Sequence, residues 1–391
     1  MTRKTPLREN ALVLAGILLV ALNLRPAITS VSPVLEVIRA DLGLSYTAAS
    51  LLTTVPTVCM GVFAFLARPI SRYTSSERTV FWGLVLVALA TFARIGSHRH
   101  TVLFATTLLL GVGLAIIQTL LPTLVNSYFP DRAAIVTGLY SAGLIAGAAI
   151  AAGLTAPLSS LLGSWPAALA AWGSLALVAL AVWRPVTGGA PTRTETGDAS
   201  ERSVWRDPLS WYLTLYFGGN AVVYFSVLAW LPPRYVALGW SAQSAGLVLT
   251  VFTAAEFFGT LGFARLAADR PDRRVPLGLT VVASAVGLGG VAALPLAAPW
   301  LWSIVGGLGV GGMFGLCLTL PVDYTSAGDV TAKVTSLVLG VGYLVGAGGP
   351  VAIGWLVDLL GGFTLAFWAL TGVCILLLVA TSGLHPGREI V

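Results

Sequence analysis

Residues 11–38 read ALVLAGILLVALNLRPAITSVSPVLEVI, and before Glu36 the only charge in this run is Arg25. A helix needs about 20 apolar residues to cross the hydrocarbon of a bilayer, and the run supplies them with an arginine stranded about halfway along. A guanidinium keeps its proton at any relevant pH, so placing it at membrane depth costs at least ~2.5–3.5 kcal/mol on insertion scales. Something must offset that cost, and a negatively charged or strongly polar ligand is the reading adopted here. The stretch is too long for a signal-peptide core and carries no obvious small-residue cleavage site, so it is expected to remain as a helix.

The rest of the chain has the same character. Of 391 residues, 57% are hydrophobic and 10% charged, 44 are glycine, and the mean hydropathy is +0.89. That excludes a soluble globule and predicts an all-α polytopic membrane protein. Eleven further stretches of spanning length lie near 45–66, 79–96, 101–127, 133–157, 164–184, 209–231, 241–265, 275–295, 299–322, 332–357 and 363–384. A net charge of +6 would suit a nucleic-acid partner, but its distribution gives another cause. With a cytoplasmic N-terminus, 17 of the 22 basic residues, among them Arg3, Lys4, Arg193, Arg202 and Arg388, fall in inner segments. Only Arg39, Arg94, Arg99 and Arg234 lie outside. The positive-inside rule thus predicts a multi-pass protein of a bacterial inner membrane with both termini cytoplasmic, and no nucleic-acid partner. Cys59, Cys317 and Cys374 fall within spans and read as small core residues rather than as a disulfide framework or a metal site.

Residues 185–208 form the one long polar segment, read as a cytoplasmic linker between an N-terminal six-helix bundle (1–184) and a C-terminal one (209–391). The halves repeat at an offset close to 198 residues: Gly61 aligns with Gly259, Phe65 with Phe263, Arg72 with Arg270, Asp131 with Asp329, and Val136-Thr137 with Val334-Thr335. One-residue slips align Asn23 with Asn220 and Pro122 with Pro321. Constant order and spacing predict two bundles related by a pseudo-two-fold axis, the layout of major facilitator transporters, with the substrate site between the halves. Glycines in the fifth and eleventh stretches are read as close-packing positions, and Gly348-Gly349-Pro350 as a point of flexing.

Several runs are similar to one group within that superfamily. Asn23-Leu24-Arg25-Pro26-Ala27-Ile28-Thr29-Ser30-Val31-Ser32-Pro33 resembles the first-helix signature of the cyanate and 2-nitroimidazole porter family, as do Leu120-Leu121-Pro122-Thr123-Leu124 with Phe129-Pro130 and Thr137-Gly138-Leu139-Tyr140. Leu51-Leu52-Thr53-Thr54-Val55-Pro56, Ala229-Trp230-Leu231-Pro232, Gly342-Tyr343-Leu344 and Gly349-Pro350 add support, so the resemblance spans nearly the whole chain. It implies transport of a small solute more firmly than it implies which solute. Two departures stand out. Ser71 precedes Arg72 where the superfamily's loop motif has an aspartate, although Asp269-Arg270 keeps it in the second half. Gly147 is followed by Ala148 rather than by the proline usual in drug:proton antiporters.

Two ionisable side chains are expected near mid-membrane, Arg25 and Glu256. Arg25 is assigned to the substrate, since its fork suits a planar anion; the alternative is a structural role on helix carbonyls or on Glu256. Glu256 is assigned to proton coupling, because burial favours its neutral form and a nearby guanidinium its charged form; the alternative is a permanent counter-ion for Arg25. Asn23, Gln118, Tyr140, Asn220, Tyr224 and Tyr343 are expected around the pair, with Phe252 placed to stack on a flat ligand or to pack in the core. Glu36, Arg39, Asp41, Asp323, Asp329, Lys333 and Asp358 are read as solvated or gate-forming, and His98, His100 and His385 as no metal site.

No phosphate-binding loop, metal-ligand helix or nucleophile elbow is present in the sequence. The expectation is therefore a monomeric, cofactor-free secondary transporter and not an enzyme, whose partners are a small solute, the bilayer and protons. It would move a small anionic or polar planar solute, cyanate-like or a nitroimidazole-like weak acid, by alternating access. An exporter of small hydrophobic drugs and a non-transporting solute receptor are the alternatives.

Overall fold

A computed structural model describes residues 7–73, 75–188, 204–268, 270, 272–325, 328–387 and 390. Asp269 and residues 189–203 of the linker lie outside them, as do Arg3, Lys4 and Arg388. Among the described residues, 12 helical segments are long and apolar enough to cross a membrane. They are α1 (Ala11–Leu42), α2 (Tyr46–Leu66), α3 (Ser76–Gly96), α4 (His100–Tyr128), α5 (Ile135–Leu162), α6 (Trp165–Thr187), α7 (Pro208–Ala237), α8 (Ala242–Ala267), α9 (Arg274–Ala293), α10 (Pro299–Asp323), α11 (Val330–Leu360) and α12 (Thr364–Thr381). The face on the side of the chain's first described residues is called proximal, and the opposite face distal.

The halves repeat in structure as they do in sequence. Within the first half α1 packs on α5, α2 on α4, and α3 on α4 and α6; in the second, α7 packs on α11, α8 on α10, and α9 on α10 and α12. Between halves α2 meets α11 and α5 meets α8, a pair of contacts that a two-fold rotation exchanges. Even the turns agree. α1 and α7 end at Gly43 and Gly239, α5 and α11 at Gly163 and Gly361, all four with positive φ, where a side chain would be strained.

Lipid gives helices no hydrophobic reason to associate, so close packing needs small residues. On α10, Gly307 and Gly311 lie under the backbone of Phe252 and Glu256, where any Cβ would collide with their carbonyl oxygens. This contact fixes how far Glu256 stands from the bundle axis. In α11 the helix runs unbroken through Gly348-Gly349-Pro350. A Cβ at Gly349 would fall 2.7 Å from both Ser226 Oγ and Val222 O, so Gly349 serves the α7–α11 contact and a bulky substitution there reports packing rather than flexing.

The cross-half contacts also use glycine, with Gly61 of α2 against Gly340 of α11 and Gly246 of α8 against the Ala152 carbonyl of α5, and they add polar links. Ser32 Oγ donates to Ala229 O (2.9 Å), Thr54 Oγ1 to Ala347 O (3.1 Å) and Thr250 Oγ1 to Ala149 O (3.0 Å). At the distal face the Asp358 carboxylate of α11 accepts from Tyr46 N (2.9 Å), Thr47 N (2.8 Å) and Thr47 Oγ1 (2.6 Å). It thereby caps, from the other half, the otherwise unsatisfied first N–H groups of α2. Arg39, held by Glu36 at 2.7 Å, covers the Tyr46 ring with its guanidinium carbon 3.2 Å from the ring centre. Toward the proximal face much of α5 and α8 is exposed. Ile135, Thr137, Gly138 and Leu139 are exposed, as are Leu261, Gly262, Ala264, Arg265 and Leu266. Val136 and Ala267 remain buried, and Phe263 sets its ring against Gly312 of α10, so each segment keeps one packed side.

Asp358→Ala should loosen the distal closure. Between spin labels at the exposed positions Val37 and Leu359, the longer-distance population should rise at least about tenfold, which needs only ~1.4 kcal/mol from the lost charge-assisted bonds. An unchanged distance distribution would show that Asp358 is not a latch.

Candidate functional site

Pro26 decides the local structure around Arg25. It has no N–H, so the carbonyl of Leu22 loses its ladder donor and α1 breaks. One helical segment ends at Leu24, another covers Pro26–Thr29, a 3-10 turn follows at Ser32–Val34, and the helix resumes at Leu35–Leu42. Gly147 of α5 lies against the Leu22 carbonyl, where a Cβ would collide with it. The carbonyl of Arg25 accepts from Ile28 N and Thr29 N, both 3.0 Å, and from Thr29 Oγ1 at 2.9 Å. The side chain is thus carried on a short, rigid turn.

Arg25 is 6% exposed, and its guanidinium meets an aromatic face rather than hydrogen-bond acceptors. Its Nη1 has no hydrogen-bond partner, and no carboxylate oxygen among the described residues comes within 4.0 Å of the guanidinium. The guanidinium carbon lies 5.4 Å from the centre of the Tyr224 ring, a cation–π contact. Tyr343 and Glu256 are within its electrostatic range without touching it as an ion pair. Gln118 Nε2 donates to Tyr343 OH at 3.2 Å across the two halves, and Tyr140 senses Tyr343. Six of the residues singled out in the sequence therefore converge from six helices: Arg25 of α1, Gln118 of α4, Tyr140 of α5, Tyr224 of α7, Glu256 of α8 and Tyr343 of α11.

The others sit differently. Asn220 is fully buried one turn before Tyr224, and neither its Oδ1 nor its Nδ2 has a partner. Asn23 is buried with Nδ2 unpartnered, and Gln118 Oε1 is unpartnered as well. Phe252 is 1% exposed, with its ring edge beside Gly306 of α10 inside the second bundle. The cluster of Asp41, His98 and Trp165 is a distal tie within the first half: Trp165 Nε1 donates to Asp41 Oδ2 at 2.9 Å and His98 Nδ1 lies 3.4 Å from it. Asp323 is bound by Arg273 within the second half, through Nε at 2.8 Å and Nη2 at 3.1 Å, which raises the Arg273 pKa.

Sequence reasoning named Tyr224 and Tyr343 but missed the aromatic wall they belong to. Phe217, Tyr224 and Phe225 of α7, Phe314 of α10 and Tyr343 of α11 form a continuous set, with neighbouring centroids 5.0 Å to 6.2 Å apart. The available signal was the seven-residue spacing of Phe217 and Tyr224, which places both on one face of α7 with Asn220 between them. It also missed Arg94. The charge distribution put this residue in an outer segment, whereas it is fully buried within the first bundle.

A cation and a carboxylate held apart, ringed by phenols, amides and aromatic faces where two six-helix bundles meet, is the arrangement of a solute carrier. Residues 17–347 match the sequence profile of the Major Facilitator Superfamily. The cyanate transport protein CynX of Escherichia coli (strain K12) is 33% identical over 377 residues, covering 96% of this chain and 98% of that protein. A 2-nitroimidazole transporter of the same organism is 32% identical over 394 residues, covering 100% and 99%. The chain belongs to the cyanate and 2-nitroimidazole porter family of the major facilitator superfamily. The transporter YycB of Bacillus subtilis (strain 168) is 31% identical over 382 residues, 96% of this chain and 94% of that one. In fold it is similar to an inward-facing bacterial homologue of the human lysosomal transporter Spinster, with a TM-score of 0.77, 16% identity, and 97% and 96% coverage. The nucleoside transporter NupG has the same TM-score of 0.77 at 11% identity, with 95% and 99% coverage. Like its relatives, this family member is a membrane transporter and not an enzyme.

A buried amide with both polar atoms unpartnered destabilises the protein that holds it, by ~1–3 kcal/mol per unmade bond. Asn220→Leu should therefore raise the unfolding temperature of the solute-free transporter. A fall would mean that Asn220 is satisfied within the resting protein.

Proposed function

We propose that this transporter moves a small planar anion or weak acid, cyanate-like or nitroimidazole-like, across the bacterial inner membrane, with its proximal face and both termini cytoplasmic. The observation that carries this reading is the Arg25 guanidinium, buried on a rigid break in α1, in contact with the Tyr224 ring, and with Nη1 unpartnered. Guanidinium presents paired donors in a fork that matches a planar oxyanion or azolate. The aromatic wall supplies faces for a flat solute, and the amides of Gln118 and Asn220 add donors and acceptors for its edge. The relatives named for cyanate and 2-nitroimidazole support the solute class.

In this reading the two halves rock about the site. The distal links at Ser32 and Asp358 hold one side closed, and opening on the other separates α2 from α11 at Gly61 and Gly340 and the exposed proximal ends of α5 and α8. Glu256 supplies the proton. A carboxylate in electrostatic range of Arg25, yet not bonded to it, changes its preference for a proton when an anion arrives beside that cation. Proton movement is then tied to solute movement. The absence of the helix-five proline, with Ala148 after Gly147, favours this reading over a drug exporter.

The test is counterflow in proteoliposomes with labelled cyanate and labelled 2-nitroimidazole. Wild type should exchange at least one of them, and Arg25→Ala should weaken solute binding about thirtyfold or more, the ~2 kcal/mol of a charge-assisted pair. Arg25→Lys should recover only part of this, because it loses the fork. Binding without counterflow would identify a receptor, and preference for bulky neutral compounds an exporter. Glu256→Gln should keep counterflow but lose accumulation driven by a pH gradient; full accumulation in that variant would remove Glu256 from proton coupling.

A further inference from the structure

The transport reading leaves the fully buried cation Arg94 unused. Arg94 stands two residues before the distal end of α3, yet its side chain is 0% exposed and no acidic residue lies within 4.0 Å among the described residues. Its two bonds are both to neutral acceptors. Nη1 donates to Ala27 O at 3.2 Å and Nη2 to Thr107 Oγ1 at 3.3 Å, while Nε has no partner. Thr107 in turn spends its own hydroxyl proton on Leu103 O at 2.7 Å, so its oxygen can act only as acceptor toward Arg94.

The Ala27 carbonyl explains the arrangement. In an unbroken helix it would accept from Val31 N, but here Val31 N turns to Ile28 O at 3.4 Å. Pro26 and Pro33 supply no N–H on either side. The break that presents Arg25 thus leaves Ala27 O without a backbone donor in the protein interior, where an unmet carbonyl costs several kcal/mol. Arg94 is the donor that meets it. Other restraints on the break include the α5 contact at Leu22 and Pro26, the Thr29 bond to Arg25 O, the packing of Pro33 near Gly246 of α8, and the Ser32 bond to Ala229 of the opposite half. The Ser32 bond crosses between halves and must be given up when they part. The Arg94 bond lies within the first bundle and persists.

We propose that Arg94 is a positioning residue for Arg25: by holding Ala27 O it keeps the α1 break in one geometry throughout the transport cycle. The functional consequence rests on the role assigned to Arg25, whereas the brace itself does not. Hydrogen exchange measured on the purified full-length protein tests it without any solute. Arg94→Met should speed exchange of the amides from Ile28 to Val34 about tenfold, as expected for loss of a bond to a charged donor, and leave the peptides of α9 and α10 unchanged. Arg94→Lys should restore most of the protection, and Thr107→Val, a milder change, should give a smaller increase in the same amides. In a second measurement, the rate at which a small thiosulfonate reagent labels Arg25→Cys should change severalfold on adding Arg94→Met, while labelling of Tyr224→Cys should not. Exchange that is unchanged at residues 28–34, or raised equally across the protein, would overturn the proposal. So would identical labelling of Arg25→Cys in both backgrounds.

Discussion

Arg25 brings a permanent positive charge into the seam between two apolar bundles, and no carboxylate among the described residues touches it. Had Glu256 closed on it, the pair would have been a buried salt bridge, self-sufficient and with little left to offer a solute. Instead the charge is met by the face of Tyr224 and by a carboxylate at a distance, and its buried Nη1 stays unbonded. The cost of holding it there is shared with backbone features that would otherwise be faults: a proline in mid-membrane, a carbonyl served by Arg94, and a glycine in α5 that lets a neighbour close over the gap.

Glycine sets the close contacts on both sides of the seam. Inside each half, helices meet backbone to backbone through glycine, as at Gly307 and Gly311 under α8, and such contacts have no graded intermediate. Between halves Gly61 packs on Gly340 and Gly246 on Ala152, and to these are added hydroxyl bonds, the Gln118–Tyr343 bond and one carboxylate that caps a helix it does not belong to. The polar bonds can be exchanged for water when the halves move, whereas the glycine contacts must separate or slide as packed surfaces. Rocking around a fixed site requires both.

Much of this was legible in the sequence because the bilayer imposes a length. Twelve apolar runs, the repeat near 198 residues and the isolated charges at Arg25 and Glu256 needed no packing information, and Gln118, Tyr140, Tyr224 and Tyr343 follow from polarity inside spans. What escaped depends on where side chains end rather than where they start. Arg94 begins near a helix terminus, where arginine is ordinary, and reaches inward to an acceptor created by a break in another helix. Phe217, Phe225 and Phe314 are common residues in a membrane interior, and only their mutual contacts distinguish them. Asp358 was read as solvated or gate-forming, but which groups it would hold carried no motif, because its partners are backbone N–H groups more than three hundred residues away. The break in α1 was written in Pro26 and Pro33 but was masked by the continuous hydrophobicity around them.

The central claim is that Arg25 is unsatisfied for the sake of an anion. A crystal of the wild-type protein soaked in selenocyanate, an anion of cyanate's shape with a strong anomalous scatterer, would test it most directly. The account predicts a selenium peak beside Arg25 Nη1, against the ring of Tyr224 and near Tyr343, that vanishes in Arg25→Ala. A selenium peak elsewhere, with Arg25 bonded to Glu256 or to helix carbonyls, would contradict it.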